Sequence, residues 1–569
     1  MMGQIRLTIL TGMCFCFLWS ASVQAADPPP STDASVQQKK IMEAARTELL
    51  KGERKKPEIE EEALKKKEVP EIQKKFLVQN ILIQGNQAIR SEELDPILAS
   101  YRNRELNLAD ANELAQKIEQ EYRRRGFITT LAYVPPQTIE NETLKIEILE
   151  GKFGKLFIEG NHWFSDSTIR RYWHIREGEV LRYKDLLTML NRVNENPDRK
   201  VQAVLKAGEK AGATDVQLKV KDYFPYHAGY QFDNQGVRST GKRRHGFTAK
   251  SNNFIIPDSI LLGGFTFGSD FGAVFGQYLI PVTSYGTKLI LGFSHSQVAP
   301  KREFEIQDID GISQTYSAGI RQNLYETDRF TSVASVGFDF KDSRTKDVTG
   351  TRRRDRLRVV TSGLDFTYFD RFGGTSLANL VSFGTKIFGA TSENNPLAGR
   401  AGAEPEFVKY EGTLSRSIVL PFETMALLKF SPQVSTKKLT PQEELSLGGA
   451  NSVRGYPEGD YLADQGFLFN AEYSIPSYFL PHDWQLPKSD RPLRKDVQVV
   501  FFFDEGYGRL RGVGLGEIES RHLMGAGGGL RIRLTKYLYA RVELAHVIGH
   551  EPLTDSDHTR LHFTLQTEV

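Results

Sequence analysis

The residues most able to do chemistry are scattered, and each candidate is short of a required part. Gly236-Val237-Arg238-Ser239-Thr240-Gly241-Lys242-Arg243 approximates a phosphate-binding loop. Arg243 stands where Ser or Thr would hold magnesium, and no helical pattern follows to offer its N-terminus to a phosphate. His546 and His550 are four residues apart, a spacing that converges on a helix but not at a strand end, and no third ligand is near. Asp308-Ile309-Asp310-Gly311 lacks the remaining ligands of a calcium loop. No Gly-x-Ser-x-Gly elbow occurs. The sequence therefore predicts no catalytic residue, no cofactor and no metal. A hydrolase whose Ser, His and Asp meet only on folding is kept as an alternative.

Two further stretches suggest binding rather than turnover. Leu447-Gly448-Gly449-Ala450-Asn451-Ser452-Val453-Arg454-Gly455-Tyr456 sets one Arg among small and apolar residues. Phe501-Phe502-Phe503-Asp504-Glu505-Gly506 ends an apolar strand on a carboxylate. Side chains alternate along a strand, so Phe501 and Phe503 share one face while Phe502 and Asp504 share the other. A planar guanidinium can hold a carboxylate by two hydrogen bonds, which makes Arg454 the natural partner of Asp504. The alternative is a pair of ordinary surface charges, worth ~0–1 kcal/mol if they meet.

The elements that would carry these residues are strands. From about Tyr223 to Val569 the chain runs in short alternating segments with Gly-rich turns. Leu289, Leu291 and Phe293 alternate with Ile290, Gly292 and Ser294. Leu538, Ala540, Val542 and Leu544 alternate with Tyr539, Arg541 and Glu543. Leu561, Phe563, Leu565, Thr567 and Val569 alternate with His562, Thr564, Gln566 and Glu568. Apolar-out and polar-in at period two is the pattern of a lipid-facing barrel with a wet lumen. A soluble β-sandwich also alternates. The length suggests roughly 16 strands, and lipid requires that they close on themselves.

Upstream lie two copies of one unit. The first opens on Phe76 to Gln84 and turns at Gly85-Asn86. The second opens on Lys155 to Glu159 and turns at Gly160-Asn161. In the first, Ala111, Leu114, Ala115, Ile118 and Tyr122 make a helical stripe that Gly126 ends. Strands Phe127 to Val134 and Leu144 to Glu150 are expected to close it. In the second, Leu186, Leu190 and Val193 make the stripe, with closing strands Val201 to Leu205 and Val216 to Val220. Residues 26–71 read as a charged tether. Ile41, Ala44, Ala45, Glu48 and Leu49 form one narrow stripe there, suited to a solvated helix or to one that docks inside something wide.

Residues 1–25 read as a secretory signal: Arg6, an apolar run from Leu7 to Trp19, and Val23-Gln24-Ala25 as the cleavage site. Both cysteines, Cys14 and Cys16, lie in it, so the mature chain is expected to have no disulfide and no thiol ligand. Beyond that segment no apolar run is long enough for a transmembrane helix. The mean hydropathy of −0.40 does not speak against a barrel, because it averages a lipid face with a polar lumen. With Lys+Arg 74 against Asp+Glu 71, a nucleic-acid surface is not expected.

These motifs together resemble the two-partner-secretion outer-membrane transporters, the hemolysin secretion/activation family. Tyr122-x-x-x-Gly126-Phe127, Pro135-x-Gln137, Leu149-Glu150-Gly151 and Gly160-Asn161 are similar to POTRA-domain positions. Val453-Arg454-Gly455-Tyr456 resembles the tip of a long extracellular loop that folds back into the pore. Asp504-x-Gly506 resembles the wall motif that receives it. Asp233-Asn234-x-Gly236 with Thr240-Gly241 resembles the opening strand. The resemblance implies a membrane all-β fold, a barrel of about 16 strands preceded by two small α+β POTRA domains. The implied organisation is signal peptide 1–25, tether with a plug helix 26–71, POTRA domains 72–150 and 151–222, and barrel 223–569. It further implies a Gram-negative outer membrane with the POTRA domains in the periplasm. The implied partners are a large exoprotein, unfolded in transit, outer-membrane lipid and the barrel-assembly machinery. Phe127, Thr129, Leu131 and Tyr133 are the expected substrate-binding edge of the first domain. An insertase that assembles other barrels is the alternative. Val569 departs from the aromatic last residue usual in such barrels.

Overall fold

The computed structural model describes residues 32–50, 58–61, 75–210, 212–392, 395–485, 492–514, 516–534 and 537–569. The signal segment and most of the tether lie outside the described residues. Helix α1 (Ala34–Leu50) comes first, followed by a short strand β1 (Ile59–Glu61).

The first repeat contains β2 (Phe76–Val78), β3 (Asn80–Gln84), α2 (Ser91–Leu98), β4 (Arg104–Leu106), α3 (Leu108–Arg124), β5 (Leu131–Tyr133) and β6 (Thr143–Leu149). Its main sheet has the order β3-β6-β5, so β5 is an edge. Asn107 caps α3 reciprocally: its side chain accepts from Asp110 N at 2.8 Å, and Asp110 Oδ2 accepts from Asn107 N at 2.9 Å. Ala111, Leu114, Ala115, Ile118 and Tyr122 are all buried against the sheet.

Two features depart from the sequence reading. The run from Phe76 breaks at Gln79, whose N–H, like that of Asn80, donates to Glu142 O, leaving β2 to pair with β4 instead. The strand expected from Phe127 is confined to Leu131–Tyr133. After α3 the Phe127 ring turns inward and sits edge-on to Tyr122 at 5.7 Å.

The second repeat contains β7 (Lys152–Glu159), α4 (Asp166–Arg170), α5 (Tyr183–Val193), β8 (Arg199–Ala207) and β9 (Ala213–Asp222). Both repeats turn on the same device. Gly85 has φ +89° and Gly160 φ +88°, and a Cβ at either would lie 2.2 or 2.5 Å from the carbonyl oxygen of Ile148 or Val220. The next residue then closes the turn, Asn86 Nδ2 donating to Ile89 O at 3.1 Å and Asn161 Nδ2 to Phe164 O at 2.8 Å. The tether is not wholly solvated: β1 adds parallel to β8, giving the order β1-β8-β9-β7.

The barrel strands are β10 (Tyr226–Asp233), β11 (Arg244–Ser251), β12 (Ile260–Phe267), β13 (Phe271–Pro281), β14 (Thr287–Val298), β15 (Asp310–Glu326), β16 (Phe330–Asp347), β17 (Gly350–Asp370), β18 (Gly373–Thr385), β19 (Val408–Val419) and β20 (Met425–Ser435). A long connection then carries a small inward hairpin, β21 (Leu445–Leu447) and β22 (Tyr461–Ala463). Strands β23 (Gln465–Pro476), β24 (Val497–Arg509), β25 (Ser520–Leu534), β26 (Leu538–Val547) and β27 (Thr559–Glu568) complete the wall. These 16 strands are antiparallel in sequence order, and β27 pairs with β10 from Gly229↔Glu568 to Asp233↔Thr564, closing the barrel. Closure leaves no open edge for lipid to face.

Arg199 fixes the second repeat to the barrel. Its Nη1 and Nη2 each lie 3.0 Å from the Asp258 carboxylate, in the turn between β11 and β12, and Tyr172 and Asn196 donate to the same group. Helix α1 lies inside the lumen along β12–β15. Ala45 and Leu49 pack on Leu262, Phe275 and Leu279, so this stretch of wall is apolar on its inner face as well as its outer one.

Candidate functional site

Four neighbouring wall strands, β23 to β26, present charged residues to the lumen at one height. The register sets Asn470 opposite Asp504, and Asp504 opposite Gly525. Asp504 is fully buried, and Phe502 faces inward with it, while Phe501 is exposed on the outer face.

The connection between β20 and β23 folds inward and delivers Arg454, also buried, to this wall. Arg454 Nε donates to Asp504 Oδ2 at 2.6 Å and Nη2 to Oδ1 at 2.8 Å, a two-pronged fork. The Arg454 main-chain N–H adds a third bond to Oδ2 at 3.1 Å. Nη1 reaches Glu472 Oε1 at 2.8 Å and Glu543 Oε2 at 3.1 Å. The guanidinium carbon lies over the Phe502 ring, 3.5 Å from its centroid. Asn470 Nδ2 donates to both Asp504 Oδ1 and Ser452 O, at 2.8 Å each, joining wall and loop again.

The cluster is larger than a pair. Arg531 donates to both Glu472 and Glu543, and Arg541 Nε lies 3.2 Å from Glu543. Arg454, Arg531 and Arg541 thus balance Asp504, Glu472 and Glu543. Sequence reasoning paired Arg454 with Asp504 but missed Glu472, Arg531, Arg541, Glu543 and Asn470. Each lies on the lumenal phase of its own strand, a detectable signal, but their common height depends on register between strands.

The rest of the motif seats the loop. Val453 and Tyr456 are buried with Leu447, Leu523 and Val547, and Tyr456 Oη donates to His550 O at 2.7 Å. The wall makes room with glycine. A Cβ at Gly525 would lie 2.0 Å from Arg454 O, and one at Gly506 would lie 2.9 Å from Val453 Cγ2.

Helix α1 occupies the other side of the lumen. Gln38 Nε2 donates to Ser294 Oγ at 2.7 Å, and Ser313 Oγ donates to Gln38 Oε1 at 2.6 Å. Lys39 Nζ reaches Glu444 O at 3.1 Å and Lys40 Nζ reaches Glu458 Oε2 at 2.8 Å, both on the inward loop. A cavity of about 200 Å³ remains beside the helix, lined in part by Gln38, Lys39, Met42 and Arg46.

The four residues expected on the first repeat's edge divide into two pairs. Leu131 and Tyr133 are on edge strand β5, each 38% exposed. Phe127 belongs to the core, and Thr129 precedes the strand, its Oγ1 packed where a Cβ on Gly151 would stand. Glu150 is buried and accepts from Tyr122 Oη at 3.0 Å and Ala88 N at 2.6 Å, so the Tyr122 and Glu150 motif positions brace one another. His546 bonds Thr559 and His550 bonds His522 O, and among the described residues no group of His, Cys, Asp and Glu is arranged to hold a metal.

A family model described as haemolysin secretion/activation protein ShlB/FhaC/HecB matches residues 212–532. A second, described as POTRA domain, ShlB-type, matches residues 76–151. The heme/hemopexin transporter protein HuxB of Haemophilus influenzae is 24% identical over 417 residues, covering 70% of this chain and 72% of that protein. The outer membrane transporter CdiB of Dickeya dadantii is 26% identical over 427 residues, covering 72% and 73%. The solved structure of CdiB from Escherichia coli superposes with a TM-score of 0.73 at 20% identity, over 96% of this chain and 100% of that one, a likeness of fold.

Proposed function

The chain belongs to the haemolysin secretion/activation protein family ShlB/FhaC/HecB, and from that premise we infer that it is an outer-membrane translocator that passes a large secreted exoprotein through its barrel. The transporters of this family act with secreted partners. The observation that carries the reading is the filling of the lumen: helix α1 meets the wall through the Gln38 hydrogen bonds to Ser294 and Ser313 and a small apolar contact of Ala45 and Leu49, while Arg454 ties the inward loop to Asp504. The helix is no part of the closed barrel and can leave without unfolding the wall.

The unfolded partner would arrive in the periplasm and add to an exposed sheet edge by main-chain hydrogen bonding. Strand β5, with Leu131 and Tyr133, is our candidate in the first POTRA domain. In the second repeat the β8 edge is covered by the chain's own β1, and β7 forms the other edge of that sheet. Transit needs no nucleotide, and folding outside the cell gives it direction. The Arg454–Asp504 fork would hold the loop against the wall while the partner passes. Outer-membrane lipid and the barrel-assembly machinery complete the proposed partners.

The test is export of the cognate exoprotein, measured with and without the chain. Loss of surface partner with periplasmic accumulation is expected. Normal export would overturn the reading, and a general fall in other outer-membrane barrels would favour an insertase instead.

A further inference from the structure

Strands β16 and β17 form a hairpin of 18 and 21 residues, and its outer face carries an arrangement that export does not require. Lys341 points into the lumen, where its Nζ lies 2.7 Å from Glu443, and its cross-strand partner Leu357 packs inside on Leu439. The alternate residues therefore face outward. Strand β10 begins at the POTRA end, so β16 rises to the outer surface and β17 descends from it.

Going up the outer face, Val336 stands opposite Ser362, Phe338 opposite Val360, and Phe340 opposite Arg358. Above these, Asp342 stands opposite Arg356 and Arg344 opposite Arg354. Like charges directly opposite on an antiparallel pair are destabilising. The local carboxylates do not answer them: Asp342 is taken by Arg358 at 2.8 Å, and Asp347 faces Arg352. Among the described residues, Arg344, Arg354 and Arg356 make no ion pair. Directly beneath is an apolar ledge. The Arg358 guanidinium lies on Phe340, 3.2 Å from its centroid, and Phe338 meets Phe388 edge-on at 6.0 Å. Phe388 is 71% exposed.

Cations set above exposed aromatics at the rim of a membrane barrel match an anionic amphiphile, its charge at headgroup height and its chains below. We propose that Arg344, Arg354 and Arg356 form a site for the phosphates of a phosphorylated glycolipid of the outer leaflet, with its acyl chains on Phe338 and Phe388. Guanidinium forks suit phosphate oxygens better than a point charge does. Phosphate also relieves the Arg344–Arg354 repulsion, and so tightens the top of the longest hairpin in the wall. The assignment rests on the outer-membrane location but not on export.

The test uses the purified full-length protein in detergent, with bisphosphorylated lipid A, its dephosphorylated form and inorganic pyrophosphate as probes, read by native mass spectrometry. The triple variant Arg344→Gln/Arg354→Gln/Arg356→Gln should bind lipid A about tenfold or more weakly. The dephosphorylated lipid should bind the native protein with a similar deficit, and pyrophosphate should bind far more weakly than the lipid. Asp342→Asn, which removes the negative charge standing opposite Arg356, should tighten lipid A binding, and so supplies a readout even where the triple variant assembles poorly. Unchanged affinity in a folded triple variant, or in Asp342→Asn, would overturn the proposal. So would equal binding of pyrophosphate and lipid. Export by the triple variant is a separate measurement, so failure of the lipid site is distinguishable from failure of the translocator reading.

Discussion

Lys40 of helix α1 and Glu458 of the inward loop lie 2.8 Å apart, so the two bodies that fill the lumen hold one another as well as the wall. Glu458 Oε1 also accepts from Ala450 N at 2.7 Å, which ties the pair to the segment that carries Arg454. Both side chains keep some solvent contact, so the pair is worth about 1 kcal/mol or less. Lys40→Ala should therefore loosen the helix without unfolding the barrel. We expect more frequent open-channel events in planar bilayers, with the heat-modifiable gel migration of a folded barrel retained. An unchanged channel record would show that the helix is held by its wall contacts alone.

Arg454→Ala should lower export sharply while the barrel still inserts. The substitution removes the fork to Asp504 and leaves Asp504, Glu472 and Glu543 facing only Arg531 and Arg541. Breaking a fully buried pair costs ~3–5 kcal/mol, and a wet lumen lowers that figure. Arg454→Lys should not rescue, because an ammonium keeps the charge but loses both the fork and the guanidinium contact over Phe502. Normal export by either variant at normal abundance would remove the pair from the mechanism.

Gly525→Ala separates geometry from charge. Every ionised group stays in place, yet the new Cβ would fall 2.0 Å from Arg454 O. Overpacking of this kind costs about 1–3 kcal/mol. Since the contact is backbone, the loop must lift. Export should fall as in Arg454→Ala, and protease sites in the loop should become accessible. A protected loop with full export would show that the close approach is not needed.

Parity made one site legible, and the lack of register hid the rest. Phe501-Phe502-Phe503-Asp504 tells which face Asp504 takes, because the side-chain period is two. Nothing local tells that Glu472, Arg531 and Glu543 reach the same height on three other strands. The break at Phe127 was equally hidden. A β-prone run reads as strand until a tertiary contact, here the Tyr122 ring, claims its first aromatic. Strand β1 has no local signal: Ile59-Glu60-Glu61 is extended only because the edge of β8 offers it hydrogen bonds, including Ala203 N to Glu58 O at 3.0 Å.

The first POTRA domain should lose stability in alkali. Burial, then the nearby Glu150 carboxylate, raises the Tyr122 phenol well above its usual range. A raised folded-state value means that the stabilisation is complete below about pH 10, the unfolded phenol's range, and is lost as pH rises beyond it. Tyr122→Phe should flatten that alkaline slope while lowering stability by about 1–3 kcal/mol near neutrality, because Glu150 loses a donor. Hydrogen exchange of residues 108–124 against pH checks this, and an identical slope in both proteins would refute it.

Leu131→Ala/Tyr133→Ala tests the proposed edge directly. Both side chains are partly solvated, so their removal should cost little stability, of the order of 0.5 kcal/mol each. Export should nonetheless fall several-fold if an extended partner segment adds to β5 and docks its alternate side chains there. Phe127→Ala is the contrasting control. That ring is core, and its loss should cost ~3–5 kcal/mol and open the domain to proteolysis. If the Leu131/Tyr133 variant exports normally with an intact domain, β5 is not the receiving edge. Attention would then move to β8, which a partner can reach only by displacing β1.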